Sequence, residues 1–221
     1  FETKLNLTPE QMTKTQVVSK LAPLADIYVC DAFAAAHRAQ PTLVGFEQVL
    51  PSAMGRLFEQ EYEILSNILD APKRPCVFVL GGAKVQDAFM MMGKVLKGDI
   101  ADKVLCGGLV ANIMLIAGRV DIGKASEDFI YSKNLGEFIE SATEILETYP
   151  GKIVLPDDLA YVEANERYEV SVDELPQDKM LIDIGEKTID KYSQVLETAG
   201  TIFINGPMGV FEKELSENGT K

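Results

Sequence analysis

The sequence predicts an α/β protein built on a doubly wound parallel sheet, and three observations predict it. Short, continuous apolar runs at Cys76–Leu80, Lys103–Cys106 and 201–204 have the length and composition of strands buried on both faces. Between them lie segments with apolar residues at the 3.6 period, such as Val85, Phe89, Met92 and Leu96, which read as amphipathic helices. Glycines punctuate the ends of these runs, as Gly81-Gly82, Gly107-Gly108 and Asn205-Gly206-Pro207. Strand, glycine turn and helix in repetition describe crossover units of a parallel sheet.

The elements follow in order. Thr8-Pro9-Glu10 ahead of Met12, Val17, Val18 and Leu21 predicts a helix with proline at its first position. The β-rich run 26–30 predicts a short strand. Pro51-Ser52 opens a long helix to about Asp70, carried by Met54, Leu57, Phe58, Ile64, Leu65, Ile68 and Leu69 and closed by Pro72 and Pro75. After the strand at Cys76–Leu80 come a helix through Leu96, the strand Lys103–Cys106 and a helix to about Ala117. Leu135, Phe138, Ile139, Ala142, Ile145, Leu146 and Tyr149 predict a further helix that stops at Pro150-Gly151, before a strand at 152–155. The stretch 161–180 reads as irregular with room for a small hairpin, and 181–184 as a strand. A helix with Ile189, Tyr192, Val195, Leu196 and Ala199 leads to the last strand. On this pattern a domain begins near Ala71, and residues 1–50 hold too few elements to form one alone.

Composition bounds the function. With 221 residues, 47% hydrophobic and 25% charged, the chain is globular rather than disordered or disulfide-built. A net charge of −13 disfavours nucleic acid and anionic membrane as partners, but not a small anion held by local cations. Cys30, Cys76 and Cys106 show no paired spacing and read as small apolar residues in a reducing compartment. A single histidine, His37, all but excludes Cys/His zinc sites. The longest apolar stretch, 104–118, is broken by Gly107, Gly108 and Asn112 and is too short to span a bilayer, and no signal-peptide pattern opens the chain. A cytoplasmic location is expected. A start at Phe1 and an end at Gly219-Thr220-Lys221 read as a piece of a longer protein.

Two groups of residues carry chemistry. In Gly81-Gly82-Ala83-Lys84 a strand end, two glycines and a helix start place backbone N–H groups where a phosphate can approach, with Lys84 adding a point charge. Gly107-Gly108 and Gly206 to Gly209 repeat the turn, and all such turns share the carboxyl edge of a parallel sheet, where ligands bind. The alternative is a set of tight turns and a solvated lysine. No two glycines are separated by one residue, and no Gly-Lys pair precedes Ser or Thr, so the dinucleotide fingerprint and the Walker-type loop are both absent. The second group is His37-Arg38, set among small residues after the strand at 26–30 and suited to a phosphate or carboxylate. A packed histidine beside a surface arginine is its alternative. Met90-Met91-Met92 reads as core filler, Asp157-Asp158 as a solvated acidic turn, and Glu137, Glu140, Glu144 and Glu147 as a solvated helix face.

Together the segments DAFAAAHRA (31–39), LGGAKV (80–85), CGGL (106–109), LPDD (155–158), IDIG (182–185) and INGPMGVFE (204–212) resemble phosphoglycerate kinase through almost the whole chain. The resemblance implies a Rossmann-like, doubly wound phosphoglycerate kinase fold, here incomplete. Residues 1–50 would end an N-terminal phosphoglycerate-binding domain, 51–70 form the connecting helix, and 71–221 belong to a truncated nucleotide-binding domain. It implies phosphoryl transfer between 1,3-bisphosphoglycerate and ADP, or in reverse between ATP and 3-phosphoglycerate, with Mg2+ carried by the nucleotide. Oligomeric state stays open.

Site residues follow from the same resemblance. Lys84 matches the lysine on the nucleotide phosphates and the transferring group; His37 and Arg38 match a pair serving the acidic substrate. Gly81, Gly82, Gly107 and Gly108 match adenosine-side turns, and Leu155 matches the adenine-pocket wall. Gly206 and Gly209 line the same pocket, and Glu212 matches the acid on the ribose hydroxyls. On the family's strand order, 76–80 and 201–205 are neighbours flanking the crevice. Ala88 stands where many members have a second lysine, and residues 1–5 lack an arginine found there in others. The family's catalytic arginine would lie before residue 1 and its metal-side acid after Lys221, so the 221-residue stretch alone is expected to lack turnover and to be poorly stable. A nucleotide-binding α/β module without catalysis, or another nucleotide-dependent transferase or dehydrogenase, is the alternative.

Overall fold

The computed structural model describes residues 6–221, so residues 1–5, with the missing arginine position, lie outside the described residues. The chain divides after Ile68 into two compact units.

In the first unit, the helix expected over 8–21 is two short ones, Pro9–Met12 (α1) and Gln16–Leu21 (α2). The break falls where the Thr13 and Thr15 hydroxyls donate back to the carbonyls of Glu10 and Met12, competing with the helix. Met12 and Val18 are buried, and a Cβ on Gly45 would stand 2.8 Å from the Val18 Cγ2. Tyr28–Cys30 (β1) pairs in parallel with Ser52–Met54 (β2), in the register Tyr28↔Ser52 and Cys30↔Met54. The helix expected from 51 therefore begins later, at Arg56–Asp70 (α3), because strand pairing takes the backbone of residues 52–54. Asp31 Oδ1 accepts from the Phe58 N–H at 2.9 Å and caps that later start.

The second unit runs Cys76–Leu80 (β3), Val85–Lys97 (α4), Lys103–Cys106 (β4), Gly108–Ala117 (α5), Lys124–Ser132 (α6), Phe138–Thr148 (α7) and Ile153–Val154 (β5). It continues through Asp158–Glu163 (β6), Glu166–Ser171 (β7), Asp183–Ile184 (β8), Glu186–Glu197 (α8) and Thr201–Asn205 (β9). A parallel sheet has the order β5-β4-β3-β9. All five residues of β3 are buried, as a central strand between two layers requires. The neighbours β3 and β9 pair from Cys76↔Thr201 to Leu80↔Asn205, the expected adjacency, with the Phe78 and Phe203 rings 5.2 Å apart. The order reverses at β3, which makes its carboxyl end a switch point.

Three features depart from the sequence reading. The helix α6 was not expected. The small hairpin for which 161–180 has room is present as β6 with β7, but it starts earlier than read, pairing from Asp158↔Ser171 to Glu163↔Glu166. The run 181–184 supplies only Asp183–Ile184, and it joins this second, antiparallel sheet of order β7-β6-β8. Asp158 is likewise buried rather than solvated. Its carboxylate accepts from the N–H groups of Lys187 and Thr188 at 3.1 and 2.8 Å and caps α8, while Asp157 pairs with Lys191 at 2.5 Å. Tyr192 on α8 directs its hydroxyl at the Cys106 and Val154 carbonyls, at 2.7 and 3.0 Å, tying the helix to the ends of β4 and β5. Met92 is buried, Met90 half exposed, and the four glutamates of the 137–147 face are exposed. Cys76 and Cys106 are buried and Cys30 half-buried. No helix among the described residues is long and apolar enough to cross a membrane.

Candidate functional site

The carboxyl edge of the parallel sheet brings the three glycine turns into direct backbone contact. The Gly81 N–H donates to Asn205 O at 2.9 Å, the Gly107 N–H to Leu80 O at 3.0 Å, and the Gly108 N–H to Met208 O at 2.8 Å. Gly206 (φ +84°) and Gly108 (φ +53°) both need the left-handed region. A Cβ on Gly206 would run into the Gly81 carbonyl, and one on Gly108 would stand 2.8 Å from Gly82 N. Glycine at these two positions is thus imposed twice, by torsion and by space.

These contacts use up some donors and spare others. The amides of Gly81, Gly107 and Gly108 face protein carbonyls. Those of Gly82, Ala83 and Lys84 donate to no described residue, and they line a cavity of about 580 Å³ at the start of α4. Lys84 is exposed and forms no ion pair among the described residues. Unpaired amides at a helix start beside a solvated ammonium form an anion-holding end.

The opposite wall is made of side chains. Leu159 from β6 and Leu181 are each 2% exposed, and Phe129 from α6, Ile182 and Phe211 complete an apolar lining. Asp183 enters the same wall, its side chain sealed from solvent. Arg167 holds it at 2.9 Å and also donates to the carbonyls of Ile184 and Leu215, at 2.7 and 3.0 Å, so it bridges the hairpin, β8 and the turn at Glu214–Ser216 after β9. The Gly219 N–H donates to the same Asp183 Oδ2 at 3.1 Å, and Oδ1 has no partner. Burial pushes the Asp183 carboxyl above the usual range, against the Gly219 amide and the Arg167 guanidinium, which favour its ionised form.

Of the residues singled out in the sequence, Gly81, Gly82, Lys84, Gly108, Gly206, Gly209 and Glu212 line this one cavity. Gly107 lies behind it under Met208, whose Cε would be 2.8 Å from a Cβ there. Leu155 does not line it; its carbonyl receives the Lys191 ammonium at 3.1 Å, and Leu159, four residues on, takes the wall position. His37 and Arg38 belong to the first unit, where both are exposed and Arg38 Nε donates to His37 Nε2 at 3.4 Å. The sequence reading missed Asn112, Phe129, Leu159 and Asp183. Only Asn112 left a signal, a polar residue inside an otherwise apolar helix. Among the described residues no group of three or more His, Cys, Asp or Glu side chains could hold a metal ion.

Residues 3–221 match the family model described as phosphoglycerate kinase. The phosphoglycerate kinase of Methanobacterium bryantii is 46% identical over 217 residues, 98% of this chain and 53% of that protein. That of Halobacterium salinarum is 44% identical over 222 residues, 100% of this chain and 56% of that protein. The crystal structure of phosphoglycerate kinase from Pyrococcus horikoshii OT3 superposes with a TM-score of 0.93 at 40% identity, over 99% of this chain and 55% of that one. The Coxiella burnetii enzyme gives a TM-score of 0.77 at 32% identity, over 96% and 55%. The chain spans about half the length of the curated relatives it matches.

Proposed function

The chain belongs to the phosphoglycerate kinase family, and from that premise we propose that it serves phosphoryl transfer between 1,3-bisphosphoglycerate and ADP, with ATP and 3-phosphoglycerate on the other side. The observation that carries the reading is the anion-holding end at Gly82, Ala83 and Lys84, opening into an apolar cavity of nucleotide size.

In this reading the nucleotide lies with its phosphates against those amides and Lys84, its ribose towards Glu212 and its base among Leu159, Leu181 and Phe129. Phosphoryl transfer asks the protein for in-line positioning and for positive charge on the equatorial oxygens. Lys84, solvated and unpaired, can meet charge that grows in the transition state. The phosphoglycerate leaving group is a carboxylate, a stable anion that needs no general acid, so a site without a nucleophile–base pair suits the reaction. His37 and Arg38 would receive the acidic substrate. The unit ending at Ile68 would then close a phosphoglycerate-binding domain, and the rest would form most of a nucleotide-binding one. Mg2+ would arrive with the nucleotide. Among the described residues no group of three or more acidic, His or Cys side chains forms a cage for it, which suits an ion held mainly by phosphates and water. A cytoplasmic location belongs to the same proposal.

The test is a coupled assay on the full-length gene product. Lys84→Ala should lower kcat by about 100-fold or more while nucleotide affinity changes by less than about tenfold. Unchanged turnover with weakened binding would reduce Lys84 to a ground-state anchor. Arg38→Ala should raise the KM for phosphoglycerate about tenfold and leave that for nucleotide in place. A loss confined to nucleotide binding would overturn the role given to residues 31–39. Nucleotide binding with no turnover in the wild type would favour a binding module.

A further inference from the structure

We infer that Asn112 reads the nucleobase and makes the cavity selective for a 6-aminopurine; the inference rests on the nucleotide reading above. Asn112 is the one hydrogen-bonding side chain of α5, whose sequence is otherwise GLVA and IMLIA. It is only 4% exposed, yet its amide makes no hydrogen bond to any described residue. The sealed orphan atoms among the described residues are Asp183 Oδ1 and Ser216 Oγ; the Asn112 amide is not among them, and what remains accessible of the residue opens on the cavity. A primary amide that the protein leaves unpaired and that reaches only the cavity must pair with whatever fills it, and a ligand that displaces water there has to replace the water's hydrogen bonds.

Its position says which part of a nucleotide would do so. Asn112 lies one helical turn beyond Gly108, on the same face of α5, and Gly108 stands against Gly82 at the anion-holding end. With phosphates at Gly82–Lys84, the base lies farther in, among Leu109, Phe129, Leu159 and Leu181. Those neighbours offer the base no side-chain polar group. Adenine presents an N6–H donor beside a ring-nitrogen acceptor, and one carboxamide matches both at once, Oδ1 accepting and Nδ2 donating. Asn112 thus combines an unmet pair of groups with the place where an adenine edge would arrive.

Calorimetric binding to the full-length gene product tests this, with ADP compared against purine riboside 5′-diphosphate, which lacks only the 6-amino group. Wild type should prefer ADP by about tenfold, and in Asn112→Leu the preference should fall to about one. Asn112→Ala gives the same comparison if leucine disturbs folding, and because both ligands meet the same protein sample, a lowered folded fraction cancels from the ratio. Equal affinity in the wild type, or an ADP preference kept in either variant, overturns the inference and leaves the nucleotide reading standing. Failure of the wild type to bind either diphosphate overturns the nucleotide reading, and this inference with it.

Discussion

The two walls of the cavity are built by different means. One is the carboxyl edge of the parallel sheet, where Gly81, Gly108 and Gly206 press backbone against backbone and the ligand would meet peptide groups. The other comes from the small antiparallel sheet and its flanks, where Leu159, Leu181 and Asp183 present side chains locked by burial and by Arg167. A wall of peptide groups has fixed donors and no room for a Cβ, so it can hold a group common to many ligands. A wall of side chains can be altered one residue at a time, so it can tune which ligand is held. The anion-holding end lies on the first wall and the apolar recess faces the second.

The contrast can be broken at its stiffest point. Gly206→Ala should cost about 3 kcal/mol or more, since the left-handed backbone alone is worth 1–2 kcal/mol and the new Cβ meets the Gly81 carbonyl. Thermal melting and nucleotide titration should both register it. A variant that melts and binds like wild type would show the glycine junction to be pliant.

Asp183 tests the side-chain wall at its polar strut. Asp183→Ala leaves Arg167, whose side chain is 11% exposed, without its sealed partner and should cost about 3 kcal/mol. It should cost less if Glu169, at 3.0 Å, takes up the charge. Asp183→Asn separates charge from shape. Because burial raises this carboxyl above its ordinary 3.8, the folded state holds the proton more tightly than the unfolded chain. Its contribution to stability is therefore complete below pH 3.8 and is lost as pH rises through the folded-state value. Urea melts of Asp183→Asn should show that loss removed, the variant gaining on wild type as pH rises from 3.8. A constant difference across pH would mean that the carboxyl ionises as freely as in the unfolded chain.

The smallest effect sharpens the comparison. Leu181→Met preserves volume in a wall that is 2% exposed and should cost less than about 1.5 kcal/mol, with nucleotide affinity nearly unchanged. A loss as large as that of Gly206→Ala would erase the distinction between the walls.

The same division explains what the sequence disclosed. The backbone wall was legible because strand, glycine pair and helix sit next to one another in the chain, and because β3 and the centre of β9 are continuous apolar runs. The side-chain wall was not. Asp183 and Arg167 meet across 16 positions through a hairpin whose strands, DLAYVE and ERYEVS, are short and polar-rich. Phe129 lies on a helix, KASEDFIYS, too polar to announce its buried face. Ser52–Met54 reads as a helix start after Pro51, and only its partner Tyr28–Cys30 draws it into a strand.

Cys106 closes β4 immediately before the glycine junction, with none of its surface exposed and its thiol pushed up to about 12 by burial. An alkylating reagent needs the thiolate and a path to it, and the closed molecule supplies neither. Modification of this sulfur therefore counts the moments when the sheet beneath the cavity comes apart. With Cys30 replaced and Cys76 equally sealed, the labelling rate becomes a gauge of opening free energy at the site, and any ligand that binds only the closed form must slow it in proportion to its occupancy.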